Sequence, residues 1–244
     1  MKGSEASHIG NLTNFDQLIS VIKGFGDVYN PANPAIKTPA LEAKSRISHD
    51  IITDLNTKTS AYRVAIERRL VIYQPFFGKI TRIYNLLKSS GTSSVMHEEV
   101  AIIIRKLKGA RSGKKHPVPA PGQEVQGPKQ ISVSQLGYNE QLDNFDKLIL
   151  QLEMIPQYAP NETDLTVTAL REYWNAMDAA NKAALKAEND LSNCRLARNT
   201  EFYAPESGLT EVAKADKLYI KALFGANSPQ YHQLSGIPFK TYKN

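Results

Sequence analysis

A six-residue motif near the start of the chain returns in the same form 130 positions later: residues 14–19 read NFDQLI and residues 144–149 read NFDKLI. Further matches follow in the same order at nearly the same spacing, the last of them shifted by five residues. They pair Tyr29-Asn30-Pro31 with Tyr158-Ala159-Pro160, Ala40-Leu41 with Ala169-Leu170, the set Arg68, Tyr73, Pro75 and Gly78 with Arg198, Tyr203, Pro205 and Gly208, and Arg82-Ile83-Tyr84 with Lys217-Leu218-Tyr219. Matches in constant order predict a tandem duplication of one helical unit. The retained residues are turn formers, apolar anchors and tyrosines, and none is an obvious catalytic group.

The composition is that of a folded globular chain. Apolar residues make up 41% and charged residues 22% of the 244 residues, which is unlike a disordered protein. No stretch approaches the ~18 uncharged apolar residues of a membrane-spanning helix, so we expect no membrane span. The first residues lack the apolar core of a secretory signal, and we therefore expect a cytoplasmic protein.

The net charge of +6 is unevenly distributed along the chain. Residues 1–130 hold 19 Lys and Arg against 10 Asp and Glu, a net +9, and residues 131–244 hold 11 against 14, a net −3. Such a bipolar chain can pair its own halves or stack head to tail with another copy. Drift between duplicated halves is the alternative explanation.

Each half is predicted to contain a short helix, a proline-marked loop, a very long helix, a turn and a further helix. The first long helix is predicted from Thr38-Pro39 to about Ile72, since proline is tolerated in a first helical turn. At ~1.5 Å per residue it is roughly 50 Å long. Its apolar stripe is predicted to comprise Ile47, Ile51, Leu55, Tyr62, Ile66, Leu70 and Tyr73.

The stripe of the second long helix alternates spacings of three and four, which is the pattern of a coiled-coil seam. It comprises Leu170, Tyr173, Met177, Ala180, Ala184, Ala187, Leu191 and Cys194. The small residues in its middle allow another helix to approach closely. The sequence leaves open whether that helix belongs to the same chain or to another one.

The predicted fold is all-α, with two homologous up-and-down helical units that form an elongated bundle. The units are placed at 1–108 and 132–227, with a basic linker rich in Pro and Gly at 109–131. An extended C-terminal tail is predicted at 228–244, because its prolines and glycine disfavour a helix.

A run of cations at the start of the linker is the one strongly charged cluster. It comprises Arg105, Lys106, Lys108, Arg111, Lys114 and Lys115. Such a cluster can neutralise the phosphates of a nucleic acid or contact an acidic partner, including a second copy of the chain. No recognition motif or interleaved aromatic accompanies it, and a solvated hinge is the other interpretation.

No pattern in the sequence indicates catalysis, a metal or a cofactor. Cys194 is the only cysteine, and no Glu-x-x-His pair, Gly-x-Ser-x-Gly elbow or glycine-rich phosphate loop is present. His49, Asp50 and Asp54 lie near one another on the long helix, but the second half has alanines at or beside the matching positions. We therefore expect no catalytic, cofactor-binding or metal-binding residue.

Several segments of the second half resemble a group of internally duplicated, all-helical bacterial proteins with no assigned function. They are residues 134–138 (SQLGY), Asn144-Phe145, residues 158–162 (YAPNE) and residues 195–199 (RLARN). The resemblance covers most of the chain and is looser in the first half. It implies a bacterial cytoplasmic setting and the repeat, and no functional residue.

The sequence therefore predicts a non-enzymatic structural or scaffold protein that self-assembles into an oligomer or a filament through helical and charge-complementary surfaces. A nucleic-acid-binding protein that uses residues 105–116 is the first alternative. An enzyme or ligand carrier with a site between the two units is the second.

Overall fold

A computed structural model describes residues 5–109 and 137–241 of the chain. Within these ranges the protein is helical and has no strand, which confirms the predicted all-α class. The α-helices are α1 Glu5–Lys23, α2 Thr38–Tyr73, α3 Phe76–Ser89, α4 Ser94–Lys108, α5 Tyr138–Glu153, α6 Val167–Tyr203, α7 Leu209–Phe224 and α8 Pro229–Ser235. Single 3-10 turns lie at Gly26–Val28, Pro34–Ile36 and Thr163–Leu165.

Two of these helices are much longer than the others, α2 with 36 residues and α6 with 37. Each ends at a tyrosine two residues before a proline, at Tyr73 before Pro75 and at Tyr203 before Pro205. The residue that precedes a proline disfavours helical backbone, which accounts for both ends. No helix in the described ranges is long and apolar enough to cross a membrane.

The chain divides into two compact units, of which unit 1 is Met1–Arg63 together with Ala187–Asn244. Its core gathers apolar side chains from α1, the first part of α2, the end of α6, α7 and α8. They include Phe15, Leu18, Ile22, Leu41, Phe202, Leu209, Ile220 and Leu234. Burying a side chain of this size contributes roughly 1.5–3 kcal/mol.

Unit 2 is Val64–Lys186 and contains the end of α2, all of α3, α4 and α5, and the start of α6. Its core includes Phe76, Ile80, Ile83, Leu87, Ile104, Leu107, Phe145, Leu148, Leu170 and Met177. The rings of Phe76 and Phe145 meet edge to face with 5.2 Å between centroids. The apolar faces of α3, α4 and α5 thus close on one another.

The compact units differ in extent from the sequence units 1–108 and 132–227. Unit 1 takes α1 from the first half of the sequence and α7 and α8 from the second half. Unit 2 takes α3 and α4 from the first half and α5 from the second. Each core is therefore built from both halves of the chain. The predicted linker 109–131 lies outside the described residues, apart from Gly109.

The predicted extended tail at 228–244 is wrong at its start, where residues 229–235 form α8. Pro229 occupies the first helical position, and the hydroxyl of Ser228 accepts a hydrogen bond from the Tyr231 N–H at 3.1 Å. Serine at the N-cap followed by proline is a helix start, although proline alone suggests a break. Leu234 anchors the helix in the core of unit 1.

The predicted apolar stripe of α2 is wrong at Ile47 and Leu70, which are both exposed. The buried line in the first part of the helix instead follows Leu41, Ser48 and Leu55, at spacings of seven. The cost of burying Ser48 is offset because its hydroxyl donates to the Glu201 carboxylate of α6 at 3.1 Å. The neighbouring helix thus decides which side of α2 is covered.

Candidate functional site

Half of the predicted basic patch lies in the last turn of α4. Arg105, Lys106 and Lys108 are exposed there. Cations at a helix C-terminus are favoured by the helix dipole, by roughly 0.3–1 kcal/mol each. The other predicted members lie outside the described residues: Arg111, Lys114 and Lys115.

Local capping fixes the length of α4 and its core packing fixes its orientation. The hydroxyl of Ser93 accepts a hydrogen bond from the Met96 N–H at 3.4 Å, and Gly109 ends the helix at φ 65°, where glycine is favoured. The buried face of the helix is formed by Val100, Ile104 and Leu107. The opposite face is therefore held toward solvent along the whole helix.

That outward face carries six exposed residues at spacings of one, three or four. They are Val95, Glu98, Glu99, Ile102, Arg105 and Lys106. Val95 is 63% exposed and Ile102 is 48% exposed. Residues at these spacings lie on one side of a helix. Acids occupy the first half of the face, bases occupy the second half, and Ile102 lies between them.

The neighbouring helix α5 extends this surface. The side-chain amide of Gln151 donates to the Glu99 carboxylate at 3.2 Å, which bridges the two helices at the surface. Beside Gln151, Leu150 is half-exposed and Met154 is 79% exposed, the largest exposed fraction among the large apolar side chains described. The α4–α5 face is defined as Val95, Glu98, Glu99, Ile102, Arg105, Lys106, Leu150 and Met154.

The charges of the α4–α5 face have no counter-ion in the described part of the chain. None of Glu98, Glu99, Arg105 and Lys106 belongs to an ion pair formed there. Among the residues that the structure describes, the Arg105 side chain donates only to the Ala101 carbonyl of its own helix, at 3.2 Å. Acidic and basic groups on this face are therefore available to an outside partner.

The predicted helix seam packs inside each unit. Tyr173 and Ala187 are half-buried, and the other predicted members are buried: Leu170, Met177, Ala180, Ala184, Leu191 and Cys194. In unit 2 the Tyr173 hydroxyl donates to the Ile72 carbonyl at 2.7 Å, and the Asn181 amide donates to the Tyr73 hydroxyl at 2.8 Å. In unit 1, Leu191 packs with Leu55. Segments of α2 thus cover the seam.

A buried carboxylic acid in unit 1 is the main polar feature that the sequence did not reveal. Asp216 has no exposed surface, and its Oδ1 lies 2.5 Å from the Tyr29 hydroxyl, which also contacts the Ile36 carbonyl. Its Oδ2 has no hydrogen-bond partner within residues 5–109 and 137–241. Burial raises the pKa of Asp216 to about 6, although the hydrogen bond with the Tyr29 hydroxyl and the charge of Lys217 oppose the shift. One signal was available, because Asp216 continues the apolar line of α7.

No three His, Cys, Asp or Glu side chains approach one another closely enough to hold a metal ion within the described residues. His49 contacts the Asp16 carboxylate at 2.8 Å on an exposed surface. Cys194 is buried, and its thiol donates to the Asp54 carboxylate at 3.4 Å. Burial raises the pKa of this thiol, which disfavours the reactive thiolate.

Two surface hollows lie within single units. The hollow in unit 1 has a volume of about 480 Å³ and is lined by α1 around Ser20 and by α8 around Gln230. The hollow in unit 2 has a volume of about 280 Å³ and lies between the end of α3 and residues 157–162. The hydroxyls of Ser89 and Ser90, which line the hollow in unit 2, donate to carbonyls of α3, and neither hollow indicates a particular ligand.

No protein-family model, curated protein or solved structure matches this chain. The resemblance to duplicated bacterial proteins, carried by segments such as 158–162, therefore stays a prediction. The α4–α5 face, argued from its own residues, is the strongest candidate for a functional surface.

Proposed function

We propose that this protein is a non-enzymatic structural protein that self-assembles through the α4–α5 face. The observation that supports the proposal is the exposure of four large apolar side chains, Val95, Ile102, Leu150 and Met154, on two helices that pack together. Apolar side chains exposed together, with charged residues around them, are typical of protein–protein contact surfaces.

Burial of these side chains supplies the driving force for association. Each square ångström of apolar surface removed from water contributes roughly 25 cal/mol, so four such side chains can offset part of the entropy lost on association. The surrounding Glu98, Glu99, Arg105 and Lys106 supply orientation, because exposed ion pairs contribute only about 0.2–1 kcal/mol each. The apolar centre therefore determines affinity and the charges determine specificity.

Sedimentation equilibrium of the purified chain over a range of concentration tests the proposal. We expect reversible association whose extent rises with concentration. Ile102→Asp should give a monomer, because it places a charge in the apolar centre of the contact, and Met154→Asp should weaken association by a smaller amount. Moderate salt should weaken association only partly, since screening acts on the charges and not on the apolar core.

Ile47→Asp is the matched control for Ile102→Asp. Ile47 has the same 48% exposure as Ile102 and lies on α2 in unit 1. We expect Ile47→Asp to associate as the unmodified chain does. A chain that stays monomeric at every concentration would end the proposal, and so would equal association of the Ile47 and Ile102 variants.

We also propose that the chain is an internal duplication. A repeated tyrosine interaction supports this: Tyr29 contacts the carbonyl of Ile36, seven residues on, and the Tyr158 hydroxyl donates to the carbonyl of Leu165 at 2.9 Å, also seven residues on. Burial disfavours the match of Arg82-Ile83-Tyr84 with Lys217-Leu218-Tyr219, since Ile83 is buried and Leu218 is exposed. Burial favours a match in which the second-half positions lie two residues earlier. In that match Ile80, Ile83 and Leu87 correspond to Ala213, Asp216 and Ile220, and all six residues are buried.

Nucleic-acid binding is the second candidate, supported by the exposed cations Arg105, Lys106 and Lys108 in one helical turn. Fluorescence anisotropy with a labelled oligonucleotide separates it from self-assembly. Binding that falls steeply with salt and survives Ile102→Asp would favour it, because phosphate contacts depend on the cations alone. Absence of binding at moderate salt would exclude this alternative.

A further inference from the structure

The charges of α4 are arranged symmetrically about Ile102. Glu98 lies four residues before it and Lys106 four residues after it, while Glu99 and Arg105 lie three residues before and after it. All five residues are exposed on the outward face of the helix. At ~1.5 Å per residue each acid and its opposite base lie roughly 4.5–6 Å on either side of Ile102.

We propose that α4 packs antiparallel against α4 of a second copy, about a two-fold axis at Ile102. This proposal rests on the proposed function and specifies the partner and the register of the contact. In this register Ile102 meets Ile102 of the second copy. Glu98 then faces Lys106 of the second copy, and Glu99 faces Arg105 of the second copy. The two-fold axis repeats each pair, which gives four ion pairs around one apolar centre.

Charge complementarity selects this arrangement over the alternatives. In a parallel pair of α4 helices Glu98 would face Glu98 and Lys106 would face Lys106, so like charges would repel. The antiparallel pair also sets the positive end of one helix dipole beside the negative end of the other. A different surface of the second copy, packed against α4, would lack the charge arrangement that is symmetric about Ile102.

Three neighbouring residues support a second copy as the occupant. Leu150 and Met154 are exposed one residue before and three residues after Gln151, which bridges to Glu99 of α4, so in the proposed antiparallel pair they extend the apolar area at the edges of the contact. The Gln151 amide donates to the Glu99 carboxylate at 3.2 Å, which orients this carboxylate in the single chain. A contact of this kind uses the same patch on both copies and closes on itself, so it gives a dimer and not a filament.

Charge reversal provides the first test, with the dimer dissociation constant as the readout. Glu98→Lys and Lys106→Glu should each raise that constant by about tenfold or more, because each converts two attractive pairs into repulsive ones. The double variant Glu98→Lys/Lys106→Glu should recover most of the lost affinity, since the exchanged charges again face each other. Failure of the double variant to recover, in a chain that still dimerises, overturns this register.

The reversed charges also act on the helix dipole, so thermal unfolding by circular dichroism is measured for each variant as a control for stability.

Cross-linking gives a second readout with a much smaller change to the side chain. Ile102→Cys should form an intermolecular disulfide on mild oxidation, because a two-fold axis brings the two β-carbons together. Ile47→Cys, with matched exposure, should not form one, and buried Cys194 should remain reduced.

The outcomes separate this inference from the proposed function. If the chain is monomeric at every concentration, both the proposed function and the two-fold contact are wrong. If the chain associates but shows neither recovery in the double charge variant nor an Ile102→Cys cross-link, the proposal of self-assembly stands. The two-fold contact at Ile102 is then wrong. Recovery together with the cross-link supports the antiparallel pair.

Discussion

At the scale of single residues, Tyr29 and Asp216 form a contact whose protons can be counted. Two hydrogen bonds at the Tyr29 hydroxyl need two protons, and the second can come only from the Asp216 carboxyl group. The Tyr29 hydroxyl has one proton and lies within hydrogen-bond distance of two acceptors, the Ile36 carbonyl and Asp216 Oδ1. The hydroxyl of Tyr158, which the proposed duplication pairs with Tyr29, donates to the Leu165 carbonyl and to no other described group. If Tyr29 donates to Ile36 in the same way, then Asp216 must be protonated to donate to Tyr29.

This geometry predicts that unit 1 becomes less stable as the pH rises. Burial raises the pKa of Asp216 from 3.8 to about 6, so the folded chain holds this proton more tightly than the unfolded chain. The resulting stability is fully present below pH 3.8 and is lost as the pH rises through about 6. A shift of this size corresponds to on the order of 3 kcal/mol, about half of which remains at pH 5.

Urea unfolding of Asp216→Asn at several pH values between 4 and 8 measures the effect. An asparagine amide can donate to the Tyr29 hydroxyl at any pH, so the variant should lose the component that falls with pH. Relative to the variant, the unmodified chain should lose roughly 1.5 kcal/mol between pH 5 and pH 8. Lys217 and Tyr219 are the other titratable groups near Tyr29 and Asp216, and both remain in the variant.

Asp164→Asn is the control for this experiment. Asp164 is a partly exposed acid whose pKa is lowered to about 2 by hydrogen bonds from Arg82 and Lys79. Its contribution is present above the ordinary pKa of an aspartate and is lost only in stronger acid. Asp164→Asn should therefore leave the change in the free energy of unfolding between pH 5 and pH 8 as it is in the unmodified chain. Parallel pH profiles for the unmodified chain and Asp216→Asn would show that Asp216 is ionised in the folded protein.

At the scale of elements, α6 presents a continuous buried line, whereas the middle of α2 does not. The line of α6 runs from Leu170 through Met177 and Ala184 to Leu191. On α2 no residue between Leu55 and Tyr73 is fully buried. The seam of α6 should therefore be the more sensitive of the two helices to substitution.

Two leucines on α6 provide a matched test of this seam. Leu170 has no exposed surface and Leu185 is 59% exposed. Leu170→Asp should lower the free energy of unfolding by more than about 3 kcal/mol, because it buries a charge with no partner and removes an apolar side chain. Leu185→Asp should change it by less than about 1 kcal/mol, mostly through helix propensity. Thermal unfolding that is equal for both variants would show that the seam faces water.

At the scale of the whole molecule, neither half of the sequence contains a complete core. Unit 1 needs α1 from the first half and α7 from the second, and unit 2 needs α3 from the first half and α5 from the second. Fragments 1–109 and 137–244 should therefore each lack cooperative thermal unfolding. An equimolar mixture of the two should recover helix content, measured by circular dichroism. Cooperative unfolding of either fragment alone, at the temperature of the full chain, would contradict this prediction.

Local signals explain why the helical character was predictable from sequence. The apolar residues of α7 recur at helical spacing, and the prolines at 75 and 205 follow the ends of α2 and α6. The start of α8 is not predicted by its proline alone, because Ser228 and Pro229 together form the helix start. For the candidate face, the bases Arg105 and Lys106 were predicted and the apolar residues Ile102 and Met154 were not.

The sequence by itself determined that this chain is helical and where most of its helices begin and end, because capping, proline and helical periodicity act over a few residues. Only the tertiary structure decided which sides of the helices are covered. Ser48 is buried and Ile47 exposed because Glu201, distant in sequence, lies beside Ser48. Burial depends on neighbours supplied by the other half of the chain, and no local pattern contains that information.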